Sequence, residues 1–186
     1  MNFRQIPNTI TLARIALSVP IVLSLLGEEY ALVLLLLLLA GLSDGLDGWL
    51  VRRYGWYTRL GGYLDPLADK ILVLSTYLTV AYIGLIPWWL VLLVMGREVV
   101  IVGGALLFRL LTRSLEMQPL FISKVNTFAQ IVLVLSVIID AGAIIVIPVA
   151  YLEALFLVVA GTTIGSGLAY MIAWGRKAWQ HGRVAS

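Results

Sequence analysis

The sequence predicts an all-α, polytopic membrane protein with six transmembrane helices. Three observations carry this prediction: the composition, the spacing of apolar stretches and the distribution of charge. Of the 186 residues, 61% are hydrophobic and 12% are charged, and the mean hydropathy is +1.01. A soluble domain is roughly 45–50% apolar and about 25% charged, so this chain has too little polar surface for water. The same apolar content excludes a disordered chain.

Six apolar stretches are long enough to cross a bilayer, which takes roughly 20 residues. They cover 8–27, 30–51, 62–83, 86–108, 120–140 and 147–174. Charged residues, glycines or prolines separate them, at 28–29, 52–59, 86–87, 113–119 and around 142. These stretches consume most of the chain, and we expect 1–186 to form a single membrane domain.

The charges at the ends of the stretches predict the orientation. The N-terminus and every second loop carry the cationic residues Arg4, Arg52, Arg53, Arg59, Arg109, Arg113, Lys124, Arg176, Lys177 and Arg183. The opposite loops carry only acidic residues, namely Glu28, Glu29, Asp140 and Glu153. The positive-inside rule therefore places both termini in the cytoplasm, and we expect an integral protein of the bacterial inner (cytoplasmic) membrane. Cationic residues scattered among apolar stretches also argue against a nucleic-acid partner.

Four aspartates stand near the cytoplasmic ends of the second and third stretches: Asp44, Asp47, Asp65 and Asp69. The first two are about 60° apart around a helix and the last two about 40°, so each pair projects from one face. The short connection predicts antiparallel neighbours, whose four carboxylates then converge. Converging anions need a cation, and all-oxygen ligation favours Mg²⁺, Mn²⁺ or Ca²⁺ over zinc or copper. We expect one or two divalent ions at this cytoplasm-facing site, shared with substrate phosphates.

Small and cationic residues accompany these aspartates. Arg52 suits bidentate contact with a phosphate. Room for a ligand beside the carboxylates is left by Gly45, Gly48, Gly61 and Gly62. Taken singly, the features have common explanations, because helix-end aspartates pair with nearby arginines and glycines serve helix packing. A cation channel or carrier is a further alternative, but the stretches beyond Leu42 and Ile71 offer no acidic path to the other side.

The hairpin as a whole carries a longer pattern. It reads Asp44-x-x-Asp47-Gly48-x-x-Val51-Arg52, followed by Gly61, Asp65 and Asp69. This pattern resembles the signature of the CDP-alcohol phosphotransferase family, with Val51 standing where the family has alanine. The resemblance implies the family's six-span fold with a cytoplasm-facing active site. It also implies an enzyme, a CDP-alcohol phosphatidyltransferase, which moves a phosphatidyl group from CDP-diacylglycerol to an alcohol with release of CMP.

The resemblance implies roles for individual residues as well. Two Mg²⁺ or Mn²⁺ ions would be held by Asp44, Asp47, Asp65 and Asp69. Asp69 would also act as general base on the acceptor hydroxyl. The CDP-lipid would contact Asn8, Thr11, Gly48, Arg52, Thr58 and Gly61. Because the family often forms homodimers, a homodimer is expected here.

Residues downstream of the hairpin bear on the acceptor alcohol. Arg97 and the segment 123–127 resemble both the CMP-forming cardiolipin synthases and the phosphatidylglycerophosphate synthases of the family. Ala105 stands where users of glycerol phosphate carry an arginine, and Arg109 is more similar to the cardiolipin synthases. Phosphatidylglycerol is therefore favoured as acceptor, with glycerol 3-phosphate as the alternative.

Acceptor binding is assigned to Arg97, Arg109 and Lys124. Arg97 has an argument of its own, because an arginine inside an apolar span is costly to bury without a polar cavity. Arg109 has a simpler explanation as a charge that sets topology, and Lys124 as a side chain that snorkels to the interface.

Overall fold

A computed structural model of the protein describes residues 6–56, 61–112 and 121–184, and every regular element among them is an α-helix. The helices are α1 (Ile6–Leu26), α2 (Tyr30–Tyr54), α3 (Gly61–Tyr82), α4 (Trp88–Thr112), α5 (Phe121–Ala141) and α6 (Val149–Val184). The predicted all-α fold is confirmed, and each apolar stretch corresponds to one helix apart from its ends.

Four of the helices are long and apolar enough to cross a membrane. Their apolar parts are Thr9–Leu26, Tyr30–Tyr54, Phe121–Ala141 and Val149–Trp174. Large side chains such as Leu23, Leu92 and Leu157 are exposed on the helix surfaces, as expected where lipid is the solvent. Helix α3 carries Asp65, Asp69 and Lys70 near its beginning. That all six helices cross the membrane stays a prediction.

Local backbone chemistry explains where the helices end. Gly55 follows α2 with a φ of 67°, a left-handed conformation that glycine adopts without strain, and its N–H donates to the carbonyl of Val51 at 3.0 Å. Gly84, just after α3, is also left-handed, with a φ of 81°. The sixth apolar stretch ends at 174, whereas α6 continues to Val184. Hydropathy marks the end of the apolar part, while the arginines and lysine beyond it are good helix formers.

The chain divides into two compact units. The first comprises Met1–Leu85 and Val137–Val146, and in it α1 packs against both α2 and α3. The beginning of α1, the end of α2 and the beginning of α3 meet at one end of this unit, as the contacts described below show. The fully buried side chains of the unit include Ile21, Leu25, Val33, Ala40 and Val80.

The second unit comprises Ile86–Ser136 and Ile147–Ser186, and in it α4 packs against α6. The two helices run in the same direction, because Arg97 meets Ser166 and, further along both, Gly104 lies against the ring of Trp174. Hydrogen bonds described below show that α5 runs antiparallel to α6. The fully buried side chains of the unit include Leu90, Val91, Leu133 and Val159.

Candidate functional site

Three of the four predicted metal-binding aspartates converge on one arginine of the first helix. Nη1 of Arg14 lies 2.6 Å from Asp44 Oδ1 and 2.7 Å from Asp69 Oδ1. Nη2 of Arg14 donates to Asp47 Oδ2. The Arg14 side chain is 1% exposed, whereas those of Asp44 and Asp69 are each 53% exposed. The carboxylates thus form a group that is closed on the Arg14 side and open on the other.

The fourth aspartate is held by a second side chain of α1. The hydroxyl of Thr11 donates to Asp65 Oδ1 at 2.6 Å. Thr11 is fully buried and lies about one helical turn before Arg14, so both residues point from the same face of α1. Three helices therefore assemble the carboxylate cluster, which we define as Asp44, Asp47, Asp65 and Asp69 with Thr11 and Arg14.

The role of α1 corrects one detail of the sequence prediction. The short connection predicts that α2 and α3 bring the carboxylates together as direct neighbours. Among the described residues, however, the extensive packing in this unit is that of α1 against each of the two other helices. Arg14 and Thr11 bridge the aspartates of α2 and α3 from this position. Three of the four carboxylates meet at Arg14 and the fourth lies on Thr11, so the first helix joins the two pairs.

Two glycines of α2 close to the aspartates in sequence have open space where a side chain would stand. A Cβ added at Gly45 would meet no described atom within 4 Å, and one at Gly48 would reach only Arg52, at 3.7 Å from its Nη2. The Arg52 side chain is exposed, and Gly61 is buried at the beginning of α3. Outside the described residues lie Thr58 and the side chains of Asn8 and Arg109. CDP-lipid contacts stay predictions.

The donor set of the cluster fits a hard divalent cation. The cluster contains four carboxylates and one guanidinium, which leaves excess negative charge, and oxygen ligands of this kind are those that Mg²⁺ and Mn²⁺ prefer. In the part of the chain that the structure describes, however, no three acidic or histidine side chains are arranged around a point where a metal ion fits. The cation in contact with three of these carboxylates is Arg14.

The second unit holds another buried arginine in a different setting. Arg97 of α4 donates from Nη2 to Ser123 Oγ of α5 at 2.5 Å and to Ser166 Oγ of α6 at 2.8 Å. Its Nε donates to Ser166 at 3.2 Å, and its Nη1 pairs with the adjacent Glu98. Its guanidinium carbon lies 6.0 Å from the centre of the Tyr170 ring. We call these five residues the Arg97 cluster.

These contacts explain why an arginine can be buried there. The polar surroundings that the sequence argument requires are supplied by two hydroxyls and one carboxylate of the protein itself. The burial of Arg97, which is 8% exposed, therefore needs no bound ligand. Lys124 is exposed next to Ser123. Acceptor binding by either residue stays a prediction.

A third polar contact joins α5 to α6 about one turn from the Arg97 cluster. Asn126 is fully buried, and its Oδ1 accepts hydrogen bonds from Thr162 at 2.9 Å and Thr163 at 2.8 Å. Its Nδ2 has no hydrogen-bond partner within the described ranges. Asn126 therefore fixes the register of α5 on α6 through its oxygen.

Four residues in these contacts are missed by the sequence prediction: Arg14, Ser166, Thr162 and Thr163. For Arg14 a signal exists, since it is a lone cation inside the first apolar stretch, and the burial argument used for Arg97 applies to it equally. For the hydroxyl residues no comparable signal exists. Serine and threonine are common in membrane helices, where their hydroxyls often bond to their own backbone, as Thr76 does to Leu72 at 2.7 Å.

Comparison with known proteins finds related chains. The family model described as CDP-alcohol phosphatidyltransferase matches residues 4–165, which include parts of both units. A cardiolipin synthase (CMP-forming) of Rattus norvegicus and one of Homo sapiens are each 34% identical over 197 residues, covering 94% of this chain and 63% of the relative. The chain thus spans less than two thirds of the length of these relatives.

A bacterial relative carries a different name. A CDP-diacylglycerol--glycerol-3-phosphate 3-phosphatidyltransferase of Bacillus subtilis is 32% identical over 146 residues, which cover 70% of this chain and 74% of the relative. Relatives whose names imply different acceptor alcohols are therefore similar to this chain to almost the same degree.

Proposed function

The chain belongs to the CDP-alcohol phosphatidyltransferase family, and from this premise we propose that it transfers a phosphatidyl group from CDP-diacylglycerol to an alcohol and releases CMP. The observation that carries the proposal is that Asp44, Asp47 and Asp69 all contact the Arg14 guanidinium, with Asp65 held about one helical turn away by Thr11. Carboxylates gathered in this way suit the handling of a charged phosphate through divalent cations.

The proposed cofactor is a pair of Mg²⁺ or Mn²⁺ ions held by Asp44, Asp47, Asp65 and Asp69. Ions bound there would neutralise the phosphates and stabilise the oxygen on which CMP leaves. Support comes from the all-oxygen donor set and from the excess of negative charge in the carboxylate cluster.

Asp69 is the proposed general base. Its side chain is 53% exposed, so a hydroxyl group can reach it from the open side of the cluster. The acceptor oxygen forms a bond to the phosphorus that carries diacylglycerol, while its proton passes to the Asp69 carboxylate. The bond from this phosphorus to the CMP oxygen breaks, and CMP leaves with the electron pair. A positioned base of this kind contributes about 10²–10⁴-fold to a rate.

CDP-diacylglycerol is proposed to lie on the open side of the cluster. The space beside Gly45 and Gly48 and the exposed guanidinium of Arg52 on the same helix support this placement. The remaining proposed contacts are Asn8, Thr11, Thr58 and Gly61.

Phosphatidylglycerol is the proposed acceptor, which makes cardiolipin the product. The names of the rat and human relatives support this choice, whereas that of the Bacillus subtilis relative supports glycerol 3-phosphate as the alternative. Both acceptors present a phosphate, for which Arg97, Arg109 and Lys124 are the proposed binding residues.

Membrane topology and assembly are further parts of the proposal. Six spans with both termini in the cytoplasm of a bacterial inner membrane follow from the distribution of cationic residues. Because the sequence contains no cysteine, single cysteines introduced into each loop can be labelled from one side with an impermeant maleimide. The proposed homodimer is checked by light scattering on the purified protein.

The deciding experiment measures CMP release by the purified protein. It is incubated with CDP-diacylglycerol and Mn²⁺ or Mg²⁺, and with phosphatidylglycerol, glycerol 3-phosphate or no acceptor, and a parallel set contains EDTA. We expect metal-dependent CMP release that requires phosphatidylglycerol. Release with glycerol 3-phosphate alone would replace the proposed acceptor. No release with any alcohol acceptor would refute the transferase, and release that survives EDTA would refute the metal dependence.

A further inference from the structure

We propose that Arg14 is a built-in counterion of the carboxylate cluster and that it competes with a divalent cation for these carboxylates. This inference rests on the metal dependence proposed above and concerns a residue that the sequence signature does not include. It makes Arg14 a positioning residue, which sets how tightly the site holds its metal.

The contacts of the guanidinium carry the first step. Its two terminal nitrogens are engaged with Asp44, Asp47 and Asp69, which come from two different helices. These are the same carboxylates that the metal would need. The guanidinium engages one oxygen of each carboxylate, namely Oδ1 of Asp44 and Asp69 and Oδ2 of Asp47. While Arg14 holds these oxygens, a divalent ion would have to bind the remaining ones against the repulsion of a neighbouring positive charge.

The second step concerns how Arg14 is held. Its Nε is buried and has no hydrogen-bond partner in residues 6–56, 61–112 and 121–184. Within the described chain the guanidinium is therefore anchored by the carboxylates, with no neutral side chain or carbonyl to retain it. Arg97 offers the contrast, since two serine hydroxyls hold it in addition to its carboxylate. Because the proposed metal ligands alone anchor Arg14, any charge that they share with a metal ion weakens their hold on the guanidinium.

The third step is the charge balance. Three carboxylates share the single positive charge of Arg14, and the fourth, Asp65, accepts a hydrogen bond from a neutral hydroxyl. The excess of carboxylates over cations in the cluster favours the binding of a divalent ion. Removing the guanidinium leaves the carboxylates unpaired, so the cluster should bind metal more tightly and fold less well without it.

The test compares Arg14→Gln with Arg53→Gln in the purified full chain. Both variants remove one arginine from the first unit. Arg53 lies near the end of α2, directly after Arg52, and its side chain is exposed. Because Arg53 has no place in the proposed site, it is the matched control for the loss of one positive charge.

Two readouts are taken from each protein. The first is the dissociation constant of Mn²⁺, measured from the electron paramagnetic resonance of the free ion. The second is the melting temperature in EDTA and in saturating Mn²⁺. We expect Arg14→Gln to bind Mn²⁺ about tenfold or more tightly than the unmodified protein, since it loses a competing positive charge. We also expect it to melt at a lower temperature in EDTA and to recover in Mn²⁺, while Arg53→Gln matches the unmodified protein in both.

The outcomes separate this inference from the function on which it rests. If the unmodified protein binds Mn²⁺ and releases CMP but Arg14→Gln binds Mn²⁺ equally or less tightly, the counterion role is refuted and the transferase stands. If the unmodified protein binds no Mn²⁺, the metal dependence and this inference fall together.

A second variant covers the case in which Arg14→Gln fails to fold even in Mn²⁺. Arg14→Lys keeps a positive charge, but its single ammonium cannot span the three carboxylates. We expect a smaller gain in Mn²⁺ affinity than in Arg14→Gln, because the lysine keeps the charge but engages fewer of the carboxylates. Mn²⁺ binding no tighter than in the unmodified protein refutes the inference.

Discussion

Among the described residues, each unit buries one arginine in a polar cluster, and the two arginines have different partners. Arg14 meets three carboxylates, whereas Arg97 meets one carboxylate and two serine hydroxyls. The carboxylate cluster therefore has an excess of negative charge, while the Arg97 cluster is balanced by its own residues. The comparison shows that a buried arginine can be balanced by its own partners or can leave a net negative charge, and that only the second arrangement favours binding of a further cation.

The largest expected effect is on the carboxylate cluster. Asp69→Asn removes the proposed base, and turnover should fall by about 10²–10⁴-fold. Mn²⁺ binding should largely persist, because the other three carboxylates remain. CMP release and Mn²⁺ titration are measured on the same preparation. Glu153→Gln, which neutralises an exposed carboxylate of α6, is the control and should keep full activity. Full activity in Asp69→Asn would remove this residue from the role of base.

The next largest effect is expected on stability, at the Arg97 cluster. Arg97→Ala removes the contacts with Ser123, Ser166 and Glu98, and the free energy of unfolding should fall by about 3 kcal/mol. Because no proposed metal ligand is involved, the loss should be the same in EDTA and in Mn²⁺, unlike that of Arg14→Gln. Melting curves in the two conditions decide the point, with Arg53→Ala as the exposed control. If Mn²⁺ restored the stability of Arg97→Ala, the two clusters would not differ in their response to metal, and the comparison would be wrong.

A smaller effect tests the packing that supports the Arg97 cluster. A Cβ at Gly104 of α4 would overlap the ring of Trp174 on α6, so Gly104→Ala should destabilise the protein by about 2 kcal/mol. Gly103→Ala is the matched control, since a Cβ there meets no described atom within 4 Å. In thermal melting, Gly104→Ala should unfold at the lower temperature. Equal melting temperatures would show that α4 and α6 do not pack closely at this point.

The smallest expected effect is on the stability of the first unit. Thr11→Val keeps the shape of the side chain but removes the hydrogen bond to Asp65, which should lower stability by about 1 kcal/mol. It should also weaken Mn²⁺ binding severalfold, because Asp65 loses the group that orients it. Ser18→Ala removes a hydroxyl of α1 that donates to the carbonyl of Ile15, and it serves as the control. Equal Mn²⁺ affinity in the two variants would argue that Thr11 has no part in positioning the carboxylate.

The helices and the four aspartates could be predicted because their signals are local. Apolar length marks a helix, and the spacing of Asp44 and Asp47 or of Asp65 and Asp69 places each pair on one face.

The part played by α1 could not be derived in this way, since it depends on which helices pack together. The contact of Arg14 with Asp69 joins residues 55 positions apart in the chain, and that of Arg97 with Ser166 joins residues 69 positions apart.

The length of α6 limits how deep this helix can lie in a bilayer. At 1.5 Å per residue its 36 residues extend for about 54 Å, which exceeds the roughly 30 Å of hydrocarbon. Its apolar part ends at Trp174, and the cationic residues that follow resist entry into the lipid interior. Trp174 therefore limits how far α6 can slide, and Ser166 lies about 12 Å from it along the helix axis. We therefore expect the final turns of α6 to set the depth of Arg97 in the bilayer.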